Sequence, residues 1–185
     1  MPPLPPSTYS PADMTARAFS RDMKIRFSHC DPAGIVYFPN FFDMFNALLE
    51  DWYTEGLGID YERQVLIDRH SFPIVHADCD FRIPSRMGDT LSMALLLDGV
   101  GTSSMRFTIV GHVGAQERLR GHIVVALVSR DTGKSAPLPA VLRAKVERYA
   151  AECRGWSAAP QAPAAAPQAP AAAPQAPAAA PQVPA

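Results

Sequence analysis

Apolar residues recur at steps of three and four along residues 41–53, which is the period of an α-helix. The apolar positions are Phe41, Phe42, Phe45, Leu48, Leu49, Trp52 and Tyr53. Pro39 suits the first turn of such a helix, because its missing N–H would have no intrahelical partner there. Gly56 and Gly58 supply a stop. The pattern predicts one long helix that is buried on most sides.

Five other segments are rich in β-branched and apolar residues, as strands are. They are residues 21–28 before the helix and residues 72–83, 89–100, 103–113 and 117–130 after it. Short, turn-forming links between the last four predict antiparallel neighbours in a meander. A short amphipathic helix is predicted for residues 139–152. We expect an α+β fold, in which an antiparallel sheet of about five strands wraps around the long central helix.

The two ends of the 185-residue chain differ in composition from its middle. Residues 1–20 are rich in proline, and residues 156–185 consist mainly of four copies of a seven-residue Ala/Pro/Gln unit. Neither end has enough apolar side chains to form a core, so we predict disordered extensions around one domain at 21–155. Whether translation starts at Met1 or Met14 stays open, as does any docking role of the tail.

Charge and cysteine content narrow the range of partners. The formal net charge is −1, with 17 basic and 18 acidic residues and no dense basic patch. We therefore expect neither nucleic acid nor a membrane as a partner. Cys30, Cys79 and Cys153 fit neither a metal-ligand spacing nor an even disulfide set. With no signal peptide and no apolar run that could cross a bilayer, these features predict a cytoplasmic protein without a bound metal.

The segment Asp-Pro-Ala-Gly-Ile-Val-Tyr-Phe-Pro-Asn, residues 31–40, stands directly before the long helix. Together with Arg-Ile-Pro-Ser-Arg-Met-Gly-Asp-Thr-Leu at 82–91, it resembles the 4-hydroxybenzoyl-CoA thioesterase family of the hotdog fold. The similarity extends from about Met23 to Tyr149. It implies an acyl-CoA thioesterase for an aromatic substrate such as 4-hydroxybenzoyl-CoA, with coenzyme A as part of the substrate and no separate cofactor. It also implies a homodimer or homotetramer with active sites at the subunit interface.

The resemblance maps the family's catalytic aspartate onto Asp31 and an oxyanion donor onto the backbone N–H of Phe38. A carboxylate can attack a thioester or activate water for the attack, and the sequence leaves both routes open. The first N–H groups of the following helix lack intrahelical partners and can hold the developing negative charge. Gly34 allows the backbone to approach a ligand closely.

Substrate contacts are expected on both sides of the thioester. Tyr37 and the phenylalanines beside it favour a flat, aromatic acyl group. In the strand turn where the family has basic residues for the phosphates of coenzyme A, this chain has only Arg106, so Thr102 and Ser103 are the expected contacts there. Further arginines are candidates: Arg82, Arg86, Arg118 and Arg143.

Each assignment competes with a structural interpretation. An aspartate before a proline readily forms a turn, so Asp31 need not be catalytic. We expect His29 and His76 to be structural, and Glu50 and Asp51 to be surface charges, although another thioesterase branch uses a helix carboxylate. A short-chain aliphatic acyl-CoA thioesterase and a non-catalytic acyl-CoA-binding protein stay open as functions. Unprotected sheet edges predict a symmetric dimer or tetramer that joins sheets edge to edge.

Overall fold

The long predicted helix, α1, forms at Pro39–Asp51 and continues into a π-helical turn at Trp52–Gly56. These bounds come from a computed structural model, which describes residues 18–153. The strands are β1 Phe19–Lys24, β2 His70–Ser71, β3 Ile74–Phe81, β4 Thr90–Val100, β5 Ser104–Val113, β6 Gln116–Ala126 and β7 Val128–Ser129. The other helices are α2 Tyr61–Leu66 and α3 Ala140–Cys153, and a 3₁₀ turn lies at Phe27–His29.

Five strands form one antiparallel sheet in the order β1-β4-β5-β6-β3. One row of paired residues runs across it: Phe19, Leu95, Ile109, Gly121 and Cys79. The alternate residues of β4 that share this face, from Leu91 to Leu97, are buried against α1. β2 and β7 form a separate two-stranded sheet. The predicted architecture of a five-stranded sheet around one helix is confirmed.

Helix α1 packs closely onto the middle of the sheet. Phe45 and Leu48 are fully buried, as the helical period predicts. A Cβ atom on Gly121 of β6 would lie 2.7 Å from the Phe45 ring, so only glycine lets the helix come this near. Fully burying one large apolar side chain contributes about 1.5–3 kcal/mol, so this contact is a main source of stability.

Helix α3 packs on β4 near Leu95, the residue that pairs with Phe19 at the beginning of β1. The Tyr149 hydroxyl donates to the Leu95 carbonyl and accepts a hydrogen bond from the Phe19 amide at 2.9 Å. Burial raises the pKa of Tyr149, so the phenol stays protonated and keeps its donor. The side chain thereby ties α3 to two strands at once.

Two predictions about strands are wrong in part. The strand predicted over 21–28 begins at Phe19 and ends at Lys24, because the chain bends into the 3₁₀ turn. The last four strands are not one meander, since β3 pairs with β6 at the far edge of the sheet instead of with β4. The chain after Phe81 extends the β3–β6 pairing, as the Arg82 amide donates to the Arg118 carbonyl at 2.8 Å, and then crosses to β4.

The sequence did not predict every element of the fold, and some of its predictions concern residues that the structure does not describe. Helix α2, strand β2 and the π-helical turn were not predicted, and the single strand predicted over 117–130 is divided into β6 and β7. Of the predicted extensions, residues 1–17 and 156–185 lie outside the described residues, so their disorder stays a prediction, whereas Phe19 and Ser20 are ordered in β1 and the prediction is wrong for them. β1 begins two residues before the predicted domain start at 21.

Candidate functional site

Residues 29–37 form a tight hairpin in front of α1. The Asp31 amide donates to the Ile35 carbonyl at 2.9 Å, and the Tyr37 amide donates to the His29 carbonyl at 3.0 Å. Gly34 makes the turn, with a φ of +73° in the left-handed region that favours glycine. The hairpin therefore places Asp31 on one arm and the residues that lead into α1 on the other.

The Asp31 carboxylate is held through one of its oxygens. Its Oδ1 accepts a hydrogen bond from the Ala33 amide at 2.9 Å, which is an Asx turn, and the side chain is half-buried. The turn-forming interpretation of Asp31 is thus correct, but it accounts for one oxygen only. Oδ2 accepts no hydrogen bond from any described residue. An oriented carboxylate with one oxygen available suits either attack on a carbonyl carbon or activation of water.

The Phe38 amide donates to no acceptor within residues 18–153. Its neighbours differ, because the Tyr37 amide is bonded to His29, Pro39 has no N–H, and the Asn40 amide donates to the Tyr37 carbonyl at 2.9 Å. Phe38 occupies the N-cap position of α1, where the helix dipole favours negative charge. A donor in this position is able to stabilise an oxyanion.

The second motif, residues 82–91, is hydrogen-bonded to the arm of the hairpin that leads into α1. The Val36 amide donates to the carbonyl of Ser85 at 2.9 Å, and Ile35 pairs with Arg86 in an isolated bridge. Asp89 holds this loop closed, since its Oδ2 accepts a hydrogen bond from the Arg86 amide at 2.8 Å. The two motifs that the sequence singles out are therefore parts of one structural unit.

Exposed apolar side chains surround this unit. Tyr37 and Phe38 are 52% and 56% exposed, and their rings meet edge to face with centroids 5.5 Å apart. Phe81, which is 45% exposed, packs on Phe41 at the start of α1 with centroids 5.2 Å apart. Met87 on the supporting loop is also exposed. A group of exposed large apolar residues beside polar groups is typical of a binding surface.

Thr102 and Ser103 are not brought together with Asp31 in this chain. They lie in the turn after β4, whereas the Asp31 hairpin contacts the loop before β4. β4 has 11 residues, so it separates the two places by roughly 33 Å. Of the predicted site residues, Asp31, Gly34, Tyr37 and Phe38 form one cluster.

The candidate arginines divide between the same two ends of the sheet. At the Asp31 end, Arg82 pairs with Glu117 at 3.2 Å, and Arg118 donates to the Pro84 carbonyl at 3.1 Å. The exposed guanidinium of Arg86 has no partner among the residues that the structure describes. Arg143 lies at the opposite end. Of these candidates, Arg86 is the one at the Asp31 end whose charge has no partner among the described residues.

The helix carboxylates are occupied by structural contacts. Glu50 accepts a hydrogen bond from the Asn46 side chain at 2.8 Å, and Asp51 pairs with Arg21 at 3.2 Å. Both lie near the C-terminal end of α1, about 16–18 Å along the helix from its first residue. They fit the prediction of surface charges.

The histidines singled out in the sequence have local partners. The His29 ring accepts a hydrogen bond from the Arg26 amide through Nδ1 at 3.1 Å and so caps the 3₁₀ turn. His76 lies on the edge strand β3, with Nε2 at 3.0 Å from Asp78. Neither contact involves Asp31.

No cysteine shows the properties of a nucleophile. Burial, reinforced by Asp80 and Asp78, raises the pKa of Cys79 to about 12, so its thiol stays protonated at neutral pH. Burial also raises the pKa of Cys153. The Cys30 thiol is half-buried and donates to the Arg26 carbonyl at 3.5 Å.

A second polar cluster lies on the face of the sheet opposite α1. The Thr108 hydroxyl donates to Asp98 Oδ2 at 2.8 Å and lies 3.1 Å from His122 Nδ1. Burial raises the pKa of Asp98, although Thr108, His122 and nearby arginines oppose the shift. The sheet lies between this cluster and α1, and neither hydrogen bond of the cluster involves Asp31.

The described residues offer neither a metal site nor a helix that could span a membrane. The described part of the chain contains no group of three His, Cys, Asp or Glu residues able to hold a metal ion. None of its helices has the length and hydrophobicity that crossing a bilayer requires.

Comparison with known proteins identifies the family. Residues 25–146, well over half of the chain, match the model of the thioesterase-like superfamily. The chain belongs to this superfamily. A 1,4-dihydroxy-2-naphthoyl-CoA hydrolase of Acaryochloris marina is 30% identical over 132 residues, which are 68% of this chain and 93% of that protein. A 4-hydroxybenzoyl-CoA thioesterase of a Pseudomonas species is 31% identical over 80 residues, 42% of this chain and 56% of that protein.

The solved structures confirm the fold of this thioesterase-like chain. A 1,4-dihydroxy-2-naphthoyl-CoA thioesterase from Synechocystis superposes with a TM-score of 0.64 at 23% identity, covering 70% of this chain and 95% of the other. The predicted hotdog fold and the resemblance to the 4-hydroxybenzoyl-CoA thioesterases are thereby confirmed, as is the class of enzyme, a thioester hydrolase.

Two residues at the site escaped the sequence analysis. Asn40 donates from its side chain to the His29 carbonyl at 2.8 Å, and Ser85 is buried beneath Val36. Asn40 ends the quoted motif, so the signal was present. Nothing in the spacing shows, however, that a residue in the first turn of α1 bonds to one before Asp31.

Proposed function

We propose that this chain hydrolyses the thioester of an aromatic acyl-CoA to the free acid and coenzyme A. The observation that carries the proposal is that two groups at the start of α1 have no hydrogen-bond partner among the described residues: Oδ2 of Asp31 on the hairpin and the backbone N–H of Phe38 directly after it. A carboxylate able to attack and a donor able to hold an oxyanion are the two groups that thioester hydrolysis needs.

Asp31 can act by either of two routes. As a nucleophile, Oδ2 attacks the carbonyl carbon, the C–S bond breaks, and coenzyme A leaves as a thiolate. Water then hydrolyses the mixed anhydride and restores the carboxylate. As a general base, Asp31 takes a proton from the attacking water and the proton passes on to the leaving sulfur. In both routes negative charge develops on the carbonyl oxygen, to which the Phe38 N–H would donate.

The aromatic character of the acyl group is supported from two sides. Tyr37 and Phe38 offer exposed ring surface where the hairpin meets α1, and Phe81 adds another on Phe41, so a flat acyl ring would gain both apolar contact and edge-to-face packing there. Relatives that this chain resembles are named for a dihydroxynaphthoyl and a hydroxybenzoyl substrate, which are both aromatic. Arg86 is the candidate for the phosphates of coenzyme A.

The separation of Thr102 and Ser103 from Asp31 supports a dimer. The outer edge of β3 pairs with no described strand, so two copies can join there about a two-fold axis. In such an antiparallel pairing the end of one β3, near Asp31, meets the beginning of the other. The Leu127 amide donates to the Ser103 carbonyl at that beginning. A second copy would therefore bring its Thr102–Ser103 turn towards the first copy's site.

Light scattering at micromolar concentration tests this assembly. We expect a mass of a dimer or a multiple of it, because an unprotected edge strand of eight residues favours pairing. A monomer would remove the shared-site arrangement and leave coenzyme A without a contact from Thr102 or Ser103.

The hydrolysis of a panel of thioesters tests the function. Release of thiol is measured with 4-hydroxybenzoyl-, 1,4-dihydroxy-2-naphthoyl-, benzoyl-, acetyl- and butyryl-CoA. We expect kcat/KM for the aromatic esters to exceed that for the aliphatic ones by at least tenfold, which corresponds to about 1.4 kcal/mol of differential binding. A preference for butyryl-CoA would support a short-chain thioesterase. Binding of an acyl-CoA without turnover of any ester would support a non-catalytic role.

A further inference from the structure

We infer that Asn40 is a positioning residue, whose side-chain amide fixes Asp31 relative to the Phe38 N–H. The inference rests on the proposed function, because it assumes that these two groups act together on one thioester. Asn40 is not offered as a group that touches substrate. Its effect would pass through the hairpin.

The contact spans the junction that sets the geometry of the site. Asn40 lies in the first turn of α1, and its Nδ2 donates to the His29 carbonyl at 2.8 Å in a half-buried position. His29 lies two residues before Asp31, on the arm of the hairpin that carries the carboxylate. Because a carbonyl only accepts, the amide nitrogen of Asn40 must face it, so the orientation of the side chain is fixed.

The His29 carbonyl joins both arms of the hairpin to the helix. It accepts a second hydrogen bond, from the Tyr37 amide at 3.0 Å, and the Tyr37 carbonyl in turn accepts from the Asn40 amide at 2.9 Å. These three bonds form a closed set around Phe38, the residue between Tyr37 and Pro39. Without the side-chain bond, α1 would have no direct hydrogen bond to the arm that carries Asp31.

The other arm has separate support. The Val36 amide donates to Ser85 and Ile35 pairs with Arg86, so that arm stays in place when Asn40 is changed. Loss of the Asn40 bond would leave the Asp31 arm held by the hydrogen bonds across the hairpin alone, so that its position relative to the start of α1 could shift. A misplacement of about 1 Å between reacting groups can cost a hundredfold in rate, whereas binding of the rest of the substrate is unaffected.

The test compares two asparagines of the same helix. Asn40→Ala removes the bond to His29, and Asn46→Ala removes an exposed bond of equal length, 2.8 Å, to Glu50. Asn40→Asp keeps the size of the side chain but turns an oxygen towards the His29 carbonyl. We measure kcat and KM on the preferred aromatic acyl-CoA, together with the melting temperature. We expect kcat to fall tenfold to a hundredfold in both Asn40 variants, with KM within about threefold, and no change in Asn46→Ala.

A double-mutant cycle with Asp31→Asn separates positioning from a general structural effect. If Asn40 acts by placing Asp31, Asn40→Ala has little further effect on the residual activity of Asp31→Asn, because the group that it positions is already gone. Equal losses in both backgrounds would overturn the inference, as would a kcat for Asn40→Ala close to that of the unaltered chain. Full activity of Asp31→Asn itself would instead overturn the proposed function, so the two failures are distinguishable.

Discussion

The two ends of α1 differ in exposure and packing. Its N-terminal end, the open end, carries exposed aromatic rings and polar groups without a partner among the described residues, whereas its C-terminal end, the closed end, is packed among buried aromatic rings. Near the N-terminus, Tyr37 and Phe38 are more than half exposed and the Phe38 amide is unpaired within the described chain. At the other end, Trp52 and Tyr53 are buried to 0% and 1% exposure. Trp52 contacts Phe107 edge to face, with centroids 5.1 Å apart.

We expect the two ends of α1 to contribute separately to turnover and to stability. The Phe38 amide and the second oxygen of Asp31 have no partner among the described residues and lie where solvent or a ligand can reach them. The buried apolar contacts that stabilise the fold include the aromatic cluster at the closed end, where Tyr53 also packs on Phe72 with centroids 4.6 Å apart. Changes at the closed end should therefore affect stability, and changes at the open end should affect turnover.

The largest effect is expected from Trp52→Ala at the closed end. The substitution leaves a cavity among Tyr53, Phe107 and Tyr149, and such truncations of a buried aromatic cost about 3–5 kcal/mol. Urea unfolding should show this loss in the free energy of unfolding, while the activity per folded molecule stays near normal. If Trp52→Ala fails to fold, Trp52→Phe gives a smaller loss of the same kind.

Tyr37→Ala is the matched control at the open end. It also removes an aromatic ring, but one that is half exposed, so its cost in unfolding free energy should be below about 1 kcal/mol. Equal losses of stability for Trp52→Ala and Tyr37→Ala would contradict the division between the two ends.

Asp31→Asn should produce the next largest effect, on turnover alone. Asparagine keeps an oxygen that can accept from the Ala33 amide, so the turn and the melting temperature should be preserved. The charge and the nucleophile are lost, and kcat should fall by roughly 10²–10⁴-fold with KM little changed. Thiol-release kinetics on an aromatic acyl-CoA measure both constants.

Glu50→Gln is the control for the carboxylate. Glu50 lies at the exposed, C-terminal part of α1 and only accepts a hydrogen bond from Asn46, so its loss should leave kcat within about twofold. An active Asp31→Asn beside an inactive Glu50→Gln would move the site onto the helix.

The fold could be predicted where its signal is local in the sequence. The apolar period of residues 41–53 predicts α1, Gly56 marks the end of the π-helical turn that continues it, and β4 and β5 each begin one residue inside their predicted ranges. The position of β3 could not be predicted in this way, because its partner β6 lies some 40 residues further along the chain. Pairing over such distances depends on packing that no local pattern records.

The candidate site, like the fold, could be predicted only where its residues are close together in the sequence. Asp31, Gly34 and Phe38 belong to one continuous motif, and the structure places the first two on the hairpin and Phe38 directly after it, at the start of α1. The bond from Asn40 to His29 depends on how the hairpin folds back, so residue types alone do not reveal it. The distance from Asp31 to Thr102 is likewise a property of the sheet, since the motif resemblance carries no information on which end of β4 each residue occupies.

The smallest expected effect is a change in how the melting temperature depends on pH, with no change in how kcat depends on pH. His112 on β5 is 7% exposed, and burial, with a contribution from Arg120, lowers its pKa although Glu117 opposes the shift. The unfolded chain therefore takes up a proton near pH 6.5 while the folded chain resists it, so the stability that neutral His112 contributes is lost as pH falls below that value. His112→Gln should reduce the fall in melting temperature between pH 7.5 and 5.5 by about 1–3 °C. Because His112 faces away from α1 in the row of Ser92 and Glu117, the pH profile of kcat should be the same in both proteins. Thermal unfolding and rate profiles over this range measure the two quantities, and a shifted kcat profile in His112→Gln would show that the outer face of the sheet and the Asp31 site are coupled.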